Sequence, residues 1–62
     1  MRTVIKAHAV EVEIGDYVAW VDAGECKRIE ARKIIRDCGC IHIWTAARVV
    51  TFQNMFPVEI MR

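Results

Sequence analysis

Cysteine, histidine and tryptophan alternate in the stretch RDCGCIHIW, which covers residues 36–44. Cys38, Cys40 and His42 would present two thiolates and an imidazole, which are donor types that bind Zn²⁺. Structural zinc sites separate paired cysteines by two residues or more, so that both thiolates can reach the ion. The single residue between these cysteines instead favours a tight turn that leads into a strand. We expect neither a metal nor another cofactor.

Cys40 and His42 are also the candidates for a catalytic nucleophile and its base. Two residues along a strand span about 7 Å between Cα atoms, which is loose for the hydrogen bond that activates a thiol. The sequence contains no nucleophile elbow and no glycine-rich phosphate loop. We therefore expect a protein that is not an enzyme.

Arginines and aromatic residues form a second candidate site. Arg28, Arg32 and Arg36 are predicted to share one face of a strand, with His42 and Trp44 on the same face of its neighbour. The predicted register places Arg32 directly across from Trp44. Arginines on such a face bind phosphates, and an exposed indole stacks on a base. Alternatively, Arg32 covers Trp44 by a cation–π contact that contributes only to stability and solubility.

The partners expected for this surface are nucleic acid or another protein. The net charge is only +1, so any attraction for nucleic acid must arise from local arrangement. The composition is 55% apolar, which is high for 62 residues and is compatible with a homo-oligomer.

The size and the sequence of the chain also predict its organisation and location. Sixty-two residues predict one domain, residues 1–62. The apolar runs are too short for a membrane span or a signal peptide, so we expect no membrane partner. An odd number of cysteines fits a reducing compartment, which predicts a cytoplasmic protein.

Turn residues recur along the chain, at residues 15–16, 22–24, 37–39 and 54–57, between short runs rich in Val and Ile. This pattern predicts an all-β fold of five or six short antiparallel strands, curled into a small barrel. Residues 10–14 alternate between apolar and acidic side chains, which predicts a strand with its even-numbered residues buried. Residues 17–21 form the next predicted strand. A hairpin loop at Ala23 and Gly24 would then place Val18 opposite Ile29 and Trp20 opposite Lys27.

Residues 25–36, with the sequence ECKRIEARKIIR, have helix-forming composition, but their apolar residues scatter around a helix. We predict one strand, because Ile29, Ala31 and Ile35 would share a strand face. A three-residue loop ending at Gly39 would pair Arg36 with Cys40 and turn Ile35 inward.

The rest of the predicted sheet follows from that hairpin. Ile41 and Ile43 would face inward together with Ile35. A loop at residues 46–47, or a longer one at 45–48, would pair Ile43 with Val50 and Ile41 with Phe52. A proline at position 57 suits the start of a last strand over residues 58–60.

The segment GDYVAWVDAGECKRIEARKI resembles the opening of KOW-type and other SH3-like small barrels. The residues that fit are Gly15, Asp16, Val18, Gly24 and Ile29, while charged residues stand where the KOW pattern has its later glycine. The whole chain is similar to short barrel proteins of actinobacteria and their bacteriophages. The KOW likeness implies RNA or ribosome-associated binding.

An alternative expectation does not involve nucleic acid. The chain would be a protein-interaction module or a self-associating subunit of bacterial or phage origin. It would use open sheet edges together with Met55 and Phe56.

Overall fold

The computed structural model describes residues 3–62, and this part of the chain is all-β without an α-helix. A single turn of 3-10 helix, Ala9–Glu11, follows the first strand. The seven strands are β1 (Val4–His8), β2 (Tyr17–Asp22), β3 (Glu25–Glu30), β4 (Lys33–Asp37), β5 (Cys40–Trp44), β6 (Val49–Gln53) and β7 (Pro57–Met61).

The strands form two antiparallel sheets. One sheet has the order β1-β7-β2-β3 and the other the order β4-β5-β6, and neither is closed into a barrel. The predicted all-β class is confirmed. The number of strands is seven rather than five or six: β1 was not predicted and the strand predicted over residues 25–36 is divided in two, while the strand predicted over residues 10–14 is absent.

The division occurs at Ala31 and Arg32, where the chain passes from one sheet to the other. The amide of Ala31 donates to the carbonyl of Asp16 at 2.9 Å, at the start of β2. One residue later, the amide of Arg32 donates to the carbonyl of Trp44 at 2.8 Å, at the end of β5. The small side chain of Ala31 is buried inside this bend. Residues 25–36 are therefore extended as predicted, but they are not one strand.

The core lies between the two sheets. Its buried residues are Ala9, Val12, Val18, Trp20, Ala31, Ile41, Ile43, Phe52, Val58 and Ile60. The ring of Phe52 meets Trp20 edge to face at 4.9 Å and stacks with Phe56 at 5.3 Å between centroids. Each fully buried Val or Ile contributes about 1.5–3 kcal/mol through the hydrophobic effect. This shared core fixes which face of each sheet is left outside.

The β2–β3 hairpin has the predicted register. Val18 pairs with Ile29 and Trp20 with Lys27, which confirms the two-residue loop. Ala23 and Gly24 both have positive φ, +50° and +80°, as a primed hairpin turn requires. Turn chemistry alone thus determines the pairing here.

The β4–β5 hairpin has a different register from the predicted one. Its loop is two residues long, so Asp37 pairs with Cys40 and Ile34 pairs with Ile43. Gly39 has the expected positive φ, but Ile34 packs against the core and Ile35 is 44% exposed. The predicted inward position of Ile35 is therefore wrong. The bend is the reason, because Ile29 and Ile34, five residues apart, would lie on opposite faces of one straight strand.

Two other predicted pairings are confirmed. Ile43 pairs with Val50 and Ile41 with Phe52 in the β5–β6 hairpin, whose loop spans residues 45–48. Pro57 begins the last strand, which pairs with both β1 and β2.

The strand predicted over residues 10–14 is absent. Instead, the carboxylate of Glu11 accepts a hydrogen bond from the amide of His8 at 2.7 Å. The carboxylate of Asp16 accepts one from the amide of Glu13 at 2.9 Å. Acidic side chains thus satisfy backbone donors that a strand would have offered to a neighbour. Val12 is buried as predicted, but Ile14 is 68% exposed.

Candidate nucleic-acid interface

The outer face of the three-stranded sheet carries the side chains best suited to bind a ligand. Strand pairing arranges this face in three rows across β4, β5 and β6. The rows are Lys33–Trp44–Val49, Ile35–His42–Thr51 and Asp37–Cys40–Gln53. We call this surface the aromatic face. His42 and Trp44 share it, as the sequence predicted, and both are half-buried.

Trp44 carries a cation on its ring, but the cation is not the predicted one. The ammonium nitrogen of Lys33 lies 5.5 Å from the centroid of the indole. Lys33 occupies the paired position because the β4 register is shifted by one residue from the predicted Arg32 pairing. An exposed contact of this kind contributes about 0.5–1 kcal/mol, so a ligand with a flat ring can compete for the same indole surface.

His42 is oriented by two neighbours on the aromatic face. Its Nδ1 lies 2.9 Å from the hydroxyl oxygen of Thr51, and its Nε2 lies 3.9 Å from a carboxylate oxygen of Asp37. Its ring meets that of Trp44 at 60°, with 6.3 Å between centroids. The contact with Thr51 thus orients the imidazole beside the indole.

The cysteines contribute no assembled site. Cys26 and Cys38 are exposed, Cys40 is half-buried, and all three are free thiols. Within residues 3–62, no three side chains of His, Cys, Asp or Glu are grouped so that they could hold a metal ion.

Arg36 lies away from the predicted platform. The register places it opposite Ile41, on the side of β4 that faces the core. Its Nη2 donates to the carbonyl oxygens of Val12 at 2.7 Å and Val10 at 3.3 Å. Arg36 thus joins β4 to the 3-10 helix and to the residue that follows it, and its predicted place beside His42 and Trp44 is wrong.

Arg28 and Arg32 are brought together, but with a third arginine that the sequence prediction did not include. With Arg48 they line a cleft of about 290 Å³ between the β3–β4 bend and the β5–β6 loop. We call it the arginine cleft. Its other lining residues are Ile29, Glu30, Thr45, Ala46 and Ala47. Arg48 stands in the predicted 45–48 loop, so the loop prediction was the available signal for it.

The arginine cleft adjoins the aromatic face. Trp44 is followed directly by Thr45 of the cleft, and the backbone of Arg32 is bonded to that of Trp44. Four cationic side chains, those of Lys33, Arg28, Arg32 and Arg48, lie in this region, and Glu30 is the carboxylate among the residues lining the cleft. The small net charge of the chain therefore conceals a locally basic surface.

An apolar groove lies on the outer face of the other sheet, with a volume of about 340 Å³. Its lining includes Ala19, Val21, Cys26, Phe56 and Pro57, and Lys6 and Glu59 also border it. Met55 is 65% exposed nearby in sequence.

Comparisons of the chain with known protein families, with curated proteins and with solved structures found no match. The part of the chain that the structure describes has no helix long and apolar enough to cross a membrane.

Proposed function

We propose that the protein is a small non-enzymatic module that binds nucleic acid through the aromatic face and the adjoining arginine cleft. The observation that carries this proposal is the position of Trp44. Its indole stands outside the core, beside a locally basic surface and an oriented histidine. Stacking on an aromatic ring, combined with a cationic path for the phosphates, is a general way of binding nucleic acid without sequence preference.

The strand order supports the wider resemblance to SH3-like small barrels. Strands β2 and β3 pair as a hairpin, β4 to β6 pair as a meander in the other sheet, and β7 returns to pair with β2. The Gly-Asp pair that the resemblance rests on directly precedes β2, and β1 is an added strand at the far edge of β7. In this proposal, the binding surface combines the outer face of the β4-β5-β6 sheet with Arg28 of β3 in the other sheet.

Fluorescence anisotropy of a labelled oligonucleotide at low salt tests the proposal. Trp44→Ala should weaken binding by about 5- to 150-fold, since stacking of one base contributes about 1–3 kcal/mol. Val21→Ala is the matched control, because Val21 is 66% exposed and lies on the other sheet. Absence of binding by the unchanged protein to single-stranded and duplex oligonucleotides would eliminate the nucleic-acid proposal.

The apolar groove favours a second candidate function, self-association. Phe56 and Pro57 line it together with the exposed thiol of Cys26, so the chain presents apolar surface on this side as well. Two copies that cover this groove would form a dimer whose stability increases with protein concentration and persists at high salt. Sedimentation equilibrium with Val21→Ser distinguishes the candidates, since this change makes the groove less apolar without adding a charge near Arg28, so it should weaken a dimer and leave oligonucleotide binding intact.

A further inference from the structure

The three arginines of the arginine cleft differ in their partners. The Nη2 of Arg32 lies 3.5 Å from a carboxylate oxygen of Glu30. The side chains of Arg28 and Arg48 form no ion pair or hydrogen bond with any residue between 3 and 62. The cleft therefore contains two uncompensated guanidinium groups and one that already has a counter-charge.

Both uncompensated arginines stand on fixed backbone. Arg28 lies within β3 and pairs with Ala19 of β2. Arg48 ends a loop closed by Thr45, whose hydroxyl accepts hydrogen bonds from the amides of Ala47 and Arg48 at 3.1 and 3.0 Å. The amide of Thr45 donates in turn to the carbonyl of Arg48 at 2.8 Å. A cleft with such fixed walls loses less entropy when it binds a ligand.

We infer that Arg28 and Arg48 hold the phosphates of a single-stranded nucleic acid, one of whose bases stacks on Trp44. This inference rests on the proposed function and specifies its ligand. The nucleic acid must be single-stranded, because neighbouring bases cover the face of each base inside a duplex. An unpaired base, in contrast, can stack on an indole. We assign no phosphate to Arg32, because Glu30 already supplies its counter-charge in an exposed ion pair.

The number of phosphate contacts fixes the salt dependence. For single strands, the slope of log K against log salt is about −0.7 for each phosphate neutralised. Two contacts predict a slope of about −1.4 for the unchanged protein. Each contact removed should bring the slope about 0.7 closer to zero, and a third contact should make it steeper by the same amount.

Four variants test the assignment by anisotropy with labelled oligothymidylate, between about 50 and about 200 mM KCl. Arg28→Gln and Arg48→Gln should each halve the slope. Arg32→Gln is the matched control and should leave it unchanged. Glu30→Gln should release Arg32 and bring the slope to about −2.1. All four residues line an open cleft, and far-UV circular dichroism verifies that the variants are folded.

Two outcomes separate this inference from the proposed function. Oligonucleotide binding that is weakened by Trp44→Ala but keeps its slope in both Arg28→Gln and Arg48→Gln overturns the phosphate assignment alone. Duplex binding as tight as single-strand binding overturns the choice of ligand. If the unchanged protein binds no oligonucleotide, both the proposed function and the assignment of phosphates to Arg28 and Arg48 are rejected.

Discussion

Arg62 donates to both carboxylate oxygens of Asp16: Nε lies 3.1 Å from Oδ1, and Nη2 lies 3.2 Å from Oδ2. Asp16 is 5% exposed, and the hydrogen bond and the charge of its carboxylate raise the pKa of Arg62 above the ordinary value. A raised pKa favours the charged guanidinium, so the arginine stays ionised throughout the neutral range. The pair joins the end of the chain to the start of β2.

Replacement of Asp16 should lower stability. Asp16→Ala removes the acceptor of the Glu13 amide and the partner of Arg62, and we expect a loss of about 1–3 kcal/mol in the free energy of unfolding. Urea denaturation followed by tryptophan fluorescence measures it. Asp22→Ala is the control, because the Asp22–Lys27 ion pair is exposed and should contribute less than about 1 kcal/mol. Equal losses in the two variants would contradict the structural role of Asp16.

The β2–β3 turn offers a stabilising change. Ala23 has φ of +50°, a left-handed conformation that costs an alanine about 1–2 kcal/mol, whereas glycine adopts it freely. Ala23→Gly should therefore raise the midpoint of thermal unfolding, with a net gain of about 0.5–1 kcal/mol after the greater chain entropy of glycine. Ala46→Gly, in a loop residue without positive φ, should give no such gain. A lower midpoint for Ala23→Gly would contradict the turn geometry.

The register of β4 can be tested by two neighbouring isoleucines. Ile34 packs against the core, whereas Ile35 is 44% exposed on the aromatic face. We expect Ile34→Ala to cost about 1–3 kcal/mol and Ile35→Ala less than about 1 kcal/mol in chemical denaturation. The reverse order would indicate the three-residue loop that the sequence alone suggests.

Substitutions of Arg36 and Arg28 should have different effects, one on stability and the other on binding. Arg36→Gln loses the hydrogen bonds to the carbonyl oxygens of Val10 and Val12, so we expect a lower thermal midpoint and unchanged affinity for oligothymidylate. Arg28→Gln should show the opposite behaviour, with an unchanged midpoint and weaker binding. Differential scanning calorimetry and anisotropy on the same samples measure both quantities. A loss of affinity for oligothymidylate in folded Arg36→Gln protein would indicate that Arg36 belongs to the binding surface.

Local chemistry made some of the fold predictable. The Asp-Ala-Gly turn determines the β2–β3 register by itself, and the pairing of Ile41 with Phe52 follows from alternation along β5 and β6. The 3-10 turn was missed because alternating apolar and acidic residues fit a strand equally well, and the bonds formed by Glu11 and Asp16 depend on geometry that the pattern does not contain.

The candidate site was predictable only where it depends on one strand. His42 and Trp44 share a face because they are two residues apart on β5. Arg36 lies apart from Arg28 and Arg32 because the bend at Ala31 and Arg32 changes which face of the strand each later residue occupies. Such a bend is imposed by the core between the two sheets, and no single segment encodes it.

The same bend also affects how the protein unfolds. The segment that contains β3 and β4 is covalently continuous and hydrogen-bonded to a neighbour in each sheet, with Ala31 buried at the point of passage. Separation of β3 or β4 from its neighbouring strand therefore disturbs the continuation of the same segment in the other sheet. We therefore expect the two sheets to denature as one cooperative unit, with slow amide hydrogen exchange extending through the backbone of Ala31 and Arg32 instead of stopping at the boundary between the sheets.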